Sequence, residues 1–540
     1  MEEDKRTIEQ KEESLPELVI KNEFEDKKAE LSSKILAWMK NPYNLILVLI
    51  LLSAFIIRIY YLSMTYNQPL WWDEACYGSL AKNMISHMWE GTPLILGETH
   101  IRHPLFHILW SIFMRIGLNE EINRFLLEII PSMFSIFFVF LIGKELYNKR
   151  IGIIASFIFS ILWIHLFYVN RILVHMPELA FLFVSIFFFI KATKNEFNSK
   201  YFGLSLFLLS IATLVRYTNG MIFFVYLIML FVNKKFLIKD KKFWVYGILG
   251  LLPILIFFLI NQIYYGNPFP ALLGGNYINT NPSGLEKVPF YWGFLDYITI
   301  YLSTNSFSNI LNVNNILFSL LFLSFLFGVF ISIFELFLGY TLILKNDKLK
   351  NSLFLLLIIA IILSFFIFYL RAGEDRYLFP ASISLVCFSA IGLDKFYIFL
   401  KKYNKILAIL VILAILLIGF YGQIRFGDSL IKNRMESFLQ IRQGFEWVSQ
   451  NTPSDAVFIG NGIEPYLIYY AERKHLTMPE NISQADEIEK ADYLVVHAFT
   501  PQASYINDYL QSNKDKWNPI NAWFFDKNQQ QPAFVIYKRI

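Results

Sequence analysis

The sequence predicts a polytopic α-helical membrane protein with a small α/β domain at its carboxyl end, and three observations carry that prediction. Of 540 residues, 56% are apolar, and the mean hydropathy is positive, too greasy for a soluble core to absorb. Several apolar runs reach the roughly 18 residues that cross a bilayer. From Gly427 onward those runs stop, and short apolar stretches alternate with amphipathic ones, the pattern of an α/β layer.

Taken in order, residues 1–43 alternate acids and bases without an apolar centre, which reads as a charged cytoplasmic tail rather than a signal or transit peptide. About eleven spans follow within 44–427. They are Asn44 to Leu62, Phe125 to Ile142, Ile151 to Phe167, Glu178 to Ile190, two halves of Tyr201 to Val232, Phe243 to Ile263, Ile316 to Leu344, Leu353 to Leu370, Tyr377 to Leu393 and Ile406 to Phe420. The connections 143–150, 191–200, 233–242, 345–350 and 394–405 hold eighteen lysines and arginines. By the positive-inside rule these face the cytoplasm, so an even number of crossings joins each neighbouring pair.

That parity puts Arg216-Tyr217-Thr218-Asn219-Gly220 and the stretch Tyr168 to Glu178 at outer tips. One crossing then separates Asp73 from 143–150, so Pro104 to Leu118, which is short and carries Arg115, becomes a surface helix. The first outer loop, 64–124, is therefore large. A second, 264–315, is rich in Gly, Asn, Pro and aromatics and is expected to hold two short amphipathic helices. Residues 428–540 form an extracytoplasmic α/β domain: helix 435–449, strand 456–460, helix 465–472, strand 492–498, helix 503–511, and strands 522–525 and 533–538. Within it Asn481-Ile482-Ser483 is a glycosylation sequon.

The net charge of +5 comes from lysines in the connections, where orientation explains them, so nucleic acid is not implied. Cys76 and Cys387 give neither metal spacing nor a disulfide framework. No internal repeat suggests the paired halves of a secondary transporter.

Chemistry gathers at one level. Arg58, Asp73, Glu74, His100, Arg102, His103, Arg171, His175, Glu178, Arg216, Arg371, Glu374, Asp375 and Arg376 all fall at the outer boundary. The adjacent carboxylates Asp73 and Glu74 lie between Trp71-Trp72 and Tyr77, aromatics suited to the headgroup layer. Their plain reading is an acidic cap on the following helix. Arg58 is placed to pair with them or to snorkel. Arginine forks bind phosphate oxygens and a carboxylate takes a hydroxyl proton, so the mixture suits an anionic lipid substrate. His100, His103 and His107 are spaced like a helical metal site, but Pro104 interrupts that helix. No cofactor is implied, and a divalent metal is permitted rather than required. His165 reads as a hydrogen-bonded core residue, and Glu335, toward the inner half of its span, has no assigned role.

The order Arg58-Ile59-Tyr60-Tyr61-Leu62, Asp73-Glu74-Ala75-Cys76-Tyr77, His103-Pro104-Leu105, Asn170-Arg171 with Pro177-Glu178, and Asp375-Arg376-Tyr377-Leu378-Phe379-Pro380 resembles the GT-C glycosyltransferase superfamily. Within it the chain is most similar to the branch of protein O-mannosyltransferases and aminoarabinose lipid A transferases, over roughly 44–420. The resemblance implies an integral-membrane, inverting transfer of a sugar from a polyprenyl-phosphate donor to an acceptor hydroxyl at the outer face. It implies Asp73 as base with Glu74 completing the pair, Arg376, Arg371, Arg102 and Arg58 toward donor phosphate, and Tyr77, His103, Arg171, Glu178, Arg216 and Tyr377 toward substrate. Glu178 departs from the aspartate common at that position. Trp71-Trp72-Asp73 is also similar to the WWD motif of oligosaccharyltransferases, but that motif belongs in the carboxyl-terminal domain, where this chain lacks it. The expected partners are the lipid-linked donor, the bilayer, and a protein, glycolipid or glycan acceptor. The competing expectation is a transporter or flippase of a lipid-linked saccharide, which would place ionisable residues near the midplane.

Overall fold

A computed structural model describes residues 40–87, 104–194, 196–233, 239–268, 290–306, 317–343, 346–371, 373–479 and 481–540, together with 33, 38 and 308. Among these, eight helices are long and apolar enough to cross a membrane. They are α1 (Pro42–Met64), α4 (Glu120–Leu146), α7 (His175–Thr193), α10 (Lys241–Tyr265), α12 (Leu320–Leu338), α13 (Asp347–Ser364, prolonged by a π-helical turn to Leu370), α14 (Ser382–Lys401, entered by a 3-10 turn from Asp375) and α15 (Lys405–Arg434). Shorter helices include α2 (Trp72–His87), α3 (Pro104–Arg115), α5 (Lys149–Ile161), α6 (Trp163–Tyr168), α8 (Ser199–Val215), α9 (Ile222–Asn233) and α11 (Phe294–Ser303).

Each expected span holds helix among its described residues, but only eight are long enough to cross, while Ile151 to Phe167 and the two halves of Tyr201 to Val232 are made of shorter helices. The differences have local causes. The run Ile151 to Phe167 divides at Leu162, whose ψ of 125° breaks the helix. Gln423 compensates by accepting from the Trp163 N–H at 2.8 Å. The run 201–232 folds back where expected, because Arg216 takes an extended φ of −155° before a 3-10 turn, Tyr217–Met221. α15 continues through Gly427, since Gly419, Gln423, Gly427 and Ile431 keep one face buried at four-residue spacing. In lipid, helix association depends on close packing rather than on expelling water. At the crossing of α12 and α14 any β-carbon on Gly328 would collide with the Phe388 carbonyl, and one on Gly392 with that of Ser324.

Outside the bundle, α16 (Leu439–Asn451) leads into a five-stranded sheet: β1 (Val457–Gly460), β2 (Lys474–Thr477), β3 (Tyr493–His497), β4 (Trp517–Phe524) and β5 (Pro532–Arg539), with α17 (Ile506–Ser512) between β3 and β4. Their order is β2-β1-β3-β5-β4; β1 is parallel to β2 and β3, and β5 is antiparallel to β3 and β4. β2 escapes sequence reading because it is a polar edge strand of four residues, exposed at both ends. Of the loop 264–315, where two short amphipathic helices are expected without fixed bounds, the described residues hold one, α11, and most of the rest lies outside the described residues.

Candidate active site

The acidic pair divides its work. Trp71 stands at the head of α2, and Glu74 reaches back to accept the Trp71 N–H at 2.7 Å, the return half of a capping box. Glu74 is fully buried. It also accepts the Ile172 N–H at 2.7 Å and Arg171 Nη1 at 3.3 Å. Arg171, only 2% exposed in its side chain, donates further to Pro69 O at 3.0 Å and Arg434 O at 2.8 Å. Its guanidinium lies 4.1 Å from the Trp71 ring centroid. Burial pulls Arg171 down to about 10, against Glu74, which raises it, so it remains a cation at neutral pH. Arg171 and Glu74 thus tie both loops to the end of α15.

Asp73, next in the chain, points elsewhere. Its Oδ2 accepts from Arg376 Nη1 at 2.7 Å, and the two side chains stay 26% and 20% exposed. Arg376 Nε also engages Glu374. The 3-10 turn carrying Arg376 is pinned from behind: Asp375 Oδ1 accepts the Arg376 N–H at 2.7 Å and the Tyr168 hydroxyl at 3.0 Å. The result is a partly exposed carboxylate and guanidinium on a rigid floor.

A second buried cluster supports the same turn. Glu178 accepts from Arg216 Nη1 at 2.8 Å and Asn219 Nδ2 at 3.0 Å, while Arg216 also reaches the Arg376 carbonyl at 3.4 Å. The Arg216 guanidinium sits 5.5 Å from the Tyr377 ring centroid, and Tyr377 stacks on Phe366 at 4.7 Å. Glu178 and Arg216 are buried, so what they hold is the backbone of Arg376 rather than open space.

Other expected residues fall differently. Arg58 meets neither Asp73 nor Glu74 and does not snorkel, which corrects both expectations for it. Fully buried, it donates to Ser132 Oγ at 2.8 Å, Ala54 O at 3.1 Å and Ser160 O at 3.2 Å, partners that sit deep among the spans. Tyr77 is buried against Phe106 and stacks on His107 at 5.3 Å. Arg371 ends the π-helical turn with a φ of 51°. His100, Arg102 and His103 lie outside the described residues, and with them the histidine trio. Among the described residues no group of three His, Cys, Asp or Glu is arranged to hold a metal ion. His165 is buried with Nε2 2.6 Å from the Tyr301 hydroxyl.

Sequence reading missed Glu128. It lies in a π-helical turn of α4, Phe125–Ile129, and accepts the Leu173 N–H at 3.0 Å. Two consecutive amides of one loop, Ile172 and Leu173, are thus each held by a glutamate from a different element. The available signal was an acid inside an apolar run, which is a functional pointer by default.

The carboxyl-terminal domain closes over this region. Arg442 of α16 donates to Asn67 O at 2.8 Å and Asn67 Oδ1 at 2.7 Å, holding the left-handed Asn67 (φ 60°). The Tyr470 hydroxyl accepts the Leu70 N–H at 3.0 Å. Trp72 packs edge-on against Tyr466. A cavity of about 820 Å³ between Lys82, Glu120, Glu472 and Arg473 lies at the far end of α2, and Asp73 is not among its walls.

Helices long and apolar enough to span, a loop carrying the acidic pair, and a small carboxyl-terminal sheet domain define a class of architecture: the chain has the fold of the GT-C glycosyltransferases. A crystal structure of the Archaeoglobus fulgidus oligosaccharyltransferase tethered with an acceptor peptide containing the NVT sequon matches with a TM-score of 0.58 at 17% identity, over 85% of this chain and 70% of that one. Crystalline ArnT from Cupriavidus metallidurans bound to undecaprenyl phosphate matches with a TM-score of 0.55 at 11% identity, over 91% and 97%. The archaeal oligosaccharyltransferase AglB from Archaeoglobus fulgidus, in complex with an inhibitory peptide and a dolichol-phosphate, matches with a TM-score of 0.56 at 15% identity, over 93% and 74%. At these identities the shared property is the fold. More particularly, residues 102–260 match the family model described as dolichyl-phosphate-mannose-protein mannosyltransferase. Comparison with curated protein sequences gave no match.

Proposed function

We propose that the chain is an inverting glycosyltransferase that moves a sugar from a polyprenyl-phosphate donor to an acceptor hydroxyl at the outer membrane face. The observation that carries the reading is the contact of Asp73 with Arg376 at 2.7 Å, both partly exposed on a floor fixed by Glu74, Arg171 and Asp375. The resemblance of 102–260 to the mannosyltransferase model supports it. So do the lipid phosphates bound by ArnT and AglB in their own structures.

In this reading the acceptor O–H gives its proton to Asp73, the acceptor oxygen bonds to the anomeric carbon, and the bond from that carbon to phosphate breaks. The electron pair leaves on the polyprenyl phosphate, and attack opposite the leaving group inverts the centre. Arg376 then exchanges Asp73 and Glu374 for phosphate oxygens as their charge grows, a stabilisation that is strongest in the transition state. Arg371 and Arg102 are the further candidates for that phosphate. Glu74 serves by fixing Asp73 in place. The acceptor class is a protein, glycolipid or glycan, and the carboxyl-terminal domain works on the extracytoplasmic side, a reading that the lysine-rich connections support.

The test is turnover of a radiolabelled panel of polyprenyl-phosphate sugars by purified protein in lipid, native against Asp73→Asn. Transfer or hydrolysis should fall by about 10²- to 10⁴-fold in the variant, the usual worth of general-base assistance. Undiminished turnover would remove Asp73 from the role. Labelled lipid that crosses the bilayer unconsumed would establish a transporter instead.

A further inference from the structure

Three helices carry charge at both ends. Lys395 stands on the same helical segment as Arg376 but nineteen residues further on, about 28 Å at 1.5 Å per residue. Glu145 ends α4, which carries Glu128, and Lys191 and Lys194 close α7, which carries Glu178. At that far end, near one bilayer thickness from Asp73, a cavity of about 690 Å³ opens among the helix termini.

Its rim is built from shared carboxylates. Glu335 takes both Lys348 and Lys395 at 2.7 Å, and Glu145 takes both Lys191 and Lys194 at 2.9 Å. Asp394 pairs with Arg150 at 2.8 Å and Asp347 with Lys350 at 3.3 Å. Four lysines, Lys194, Lys348, Lys350 and Lys395, line the cavity with those four carboxylates, and Lys191 and Arg150, bound to two of the same carboxylates from outside the lining, bring the cluster to six cations on four acids. Each ammonium has three N–H donors and spends only part of them on its carboxylate. The inner wall is apolar, with Phe189, Phe354 and Ile391. Ile398 also lines the cavity, yet is 43% exposed on the flank of the bundle, where an acyl chain would run.

We propose that this cavity binds the phosphate headgroup of a bilayer lipid, with Lys194 and Lys348 as its principal donors. Basic pockets between membrane helices take anionic headgroups, and a volume within the range of ordinary ligand sites suits one. The lipid leaves by the opening at Ile398. The site is distinct from Asp73 and independent of the sugar transfer. Glu335 belongs to it as the carboxylate that gathers two lysines at one point.

The test uses the full chain in phosphatidylcholine discs titrated with phosphatidic acid or phosphatidylglycerol, with thermal unfolding as readout. A saturable rise in unfolding temperature is expected. Lys194→Gln with Lys348→Gln should weaken the apparent affinity about tenfold, because two cations that face the headgroup are removed. That variant leaves Lys191 on Glu145 and Lys395 on Glu335, so the pairs that hold the helix ends persist. A rise that does not saturate, or one unchanged in the variant, overturns the proposal. If inorganic phosphate alone reproduces the rise, the ligand is a soluble phosphate and the lipid assignment falls. Should the variant not fold, a photoactivatable phosphatidic acid on the native chain decides: adducts at 391–398 support the site, and adducts confined elsewhere overturn it.

Discussion

The two ends of the bundle use similar residues to opposite effect. At the Asp73 end, Glu74, Glu178 and Glu128 are fully buried, and each has an oxygen met by a backbone amide or an arginine. At the other end Glu335 and Lys348 are 26% and 45% exposed and meet as point charges. Buried charges held by several partners fix geometry and penalise any loss, whereas exposed pairs contribute little and can be re-partnered. One end is therefore suited to positioning a reaction, and the other to receiving a charge from the membrane surface.

The contrast can be broken most severely at Glu74. Glu74→Ala would leave Arg171 buried and unpaired and free the Ile172 amide, at a cost of about 3–5 kcal/mol. Thermal unfolding in lipid should show it, and transfer activity should vanish with it. Glu74→Gln keeps an oxygen acceptor for the amides and should recover part of both. An unaltered melting temperature in the alanine variant would deny Glu74 its structural role.

Next in size is Arg376→Lys, which keeps the charge but loses the planar fork. A lysine can still meet Asp73 yet cannot also span two phosphate oxygens. Donor turnover should fall by about ten- to a hundredfold, with unfolding nearly unmoved. Wild-type kinetics in this variant would show that Arg376 orients Asp73 without touching phosphate.

Smaller again is Glu128→Ala. It frees one of the two clamped amides, so kcat should fall more than KM rises, by about tenfold for one lost buried hydrogen bond of roughly 1–3 kcal/mol. Glu128→Gln should restore it, since the amide oxygen accepts equally well. If both variants lose activity alike, the carboxylate itself and not its acceptor oxygen matters.

At the lysine end, Lys348→Gln in zwitterionic lipid should shift stability by less than about 1 kcal/mol, because Lys395 remains on Glu335. The smallest effect is one of pH in the carboxyl-terminal domain. His497 receives the Phe499 N–H on Nδ1 and lies 2.7 Å from Asn461 O through Nε2, and burial lowers its proton affinity. As pH falls through the ordinary histidine range the unfolded chain takes up a proton that the folded one refuses, so stability declines on acidification. His497→Gln should flatten that slope in an unfolding series.

Much of the bundle was legible because bilayer thickness imposes a length on apolar runs and lysine clusters mark their ends. Asp73, Arg376, Arg171, Glu178 and Arg216 stood out as charges at span boundaries, and the structure brings them into one region. What could not be read was their division of labour. Asp73 and Glu74 are neighbours with the same charge, yet a helical step turns one toward Arg376 and the other into the loop that carries Ile172. Arg58 looked like a boundary residue, but one turn of depth gives it Ser132 and Ser160 instead.

The sequence by itself determined the class of fold, the apolar runs that become its long helices, and the level at which chemistry gathers, because these follow from local composition and the energy of placing charge in lipid. Only the tertiary structure decided which carboxylate is exposed and which is clamped, that Glu128 belongs to the same clamp, and that Glu335 gathers lysines from two other helices. Those outcomes depend on contacts between residues up to 303 positions apart, as with Asp73 and Arg376, and no local pattern in the chain encodes the direction in which a side chain meets such a partner.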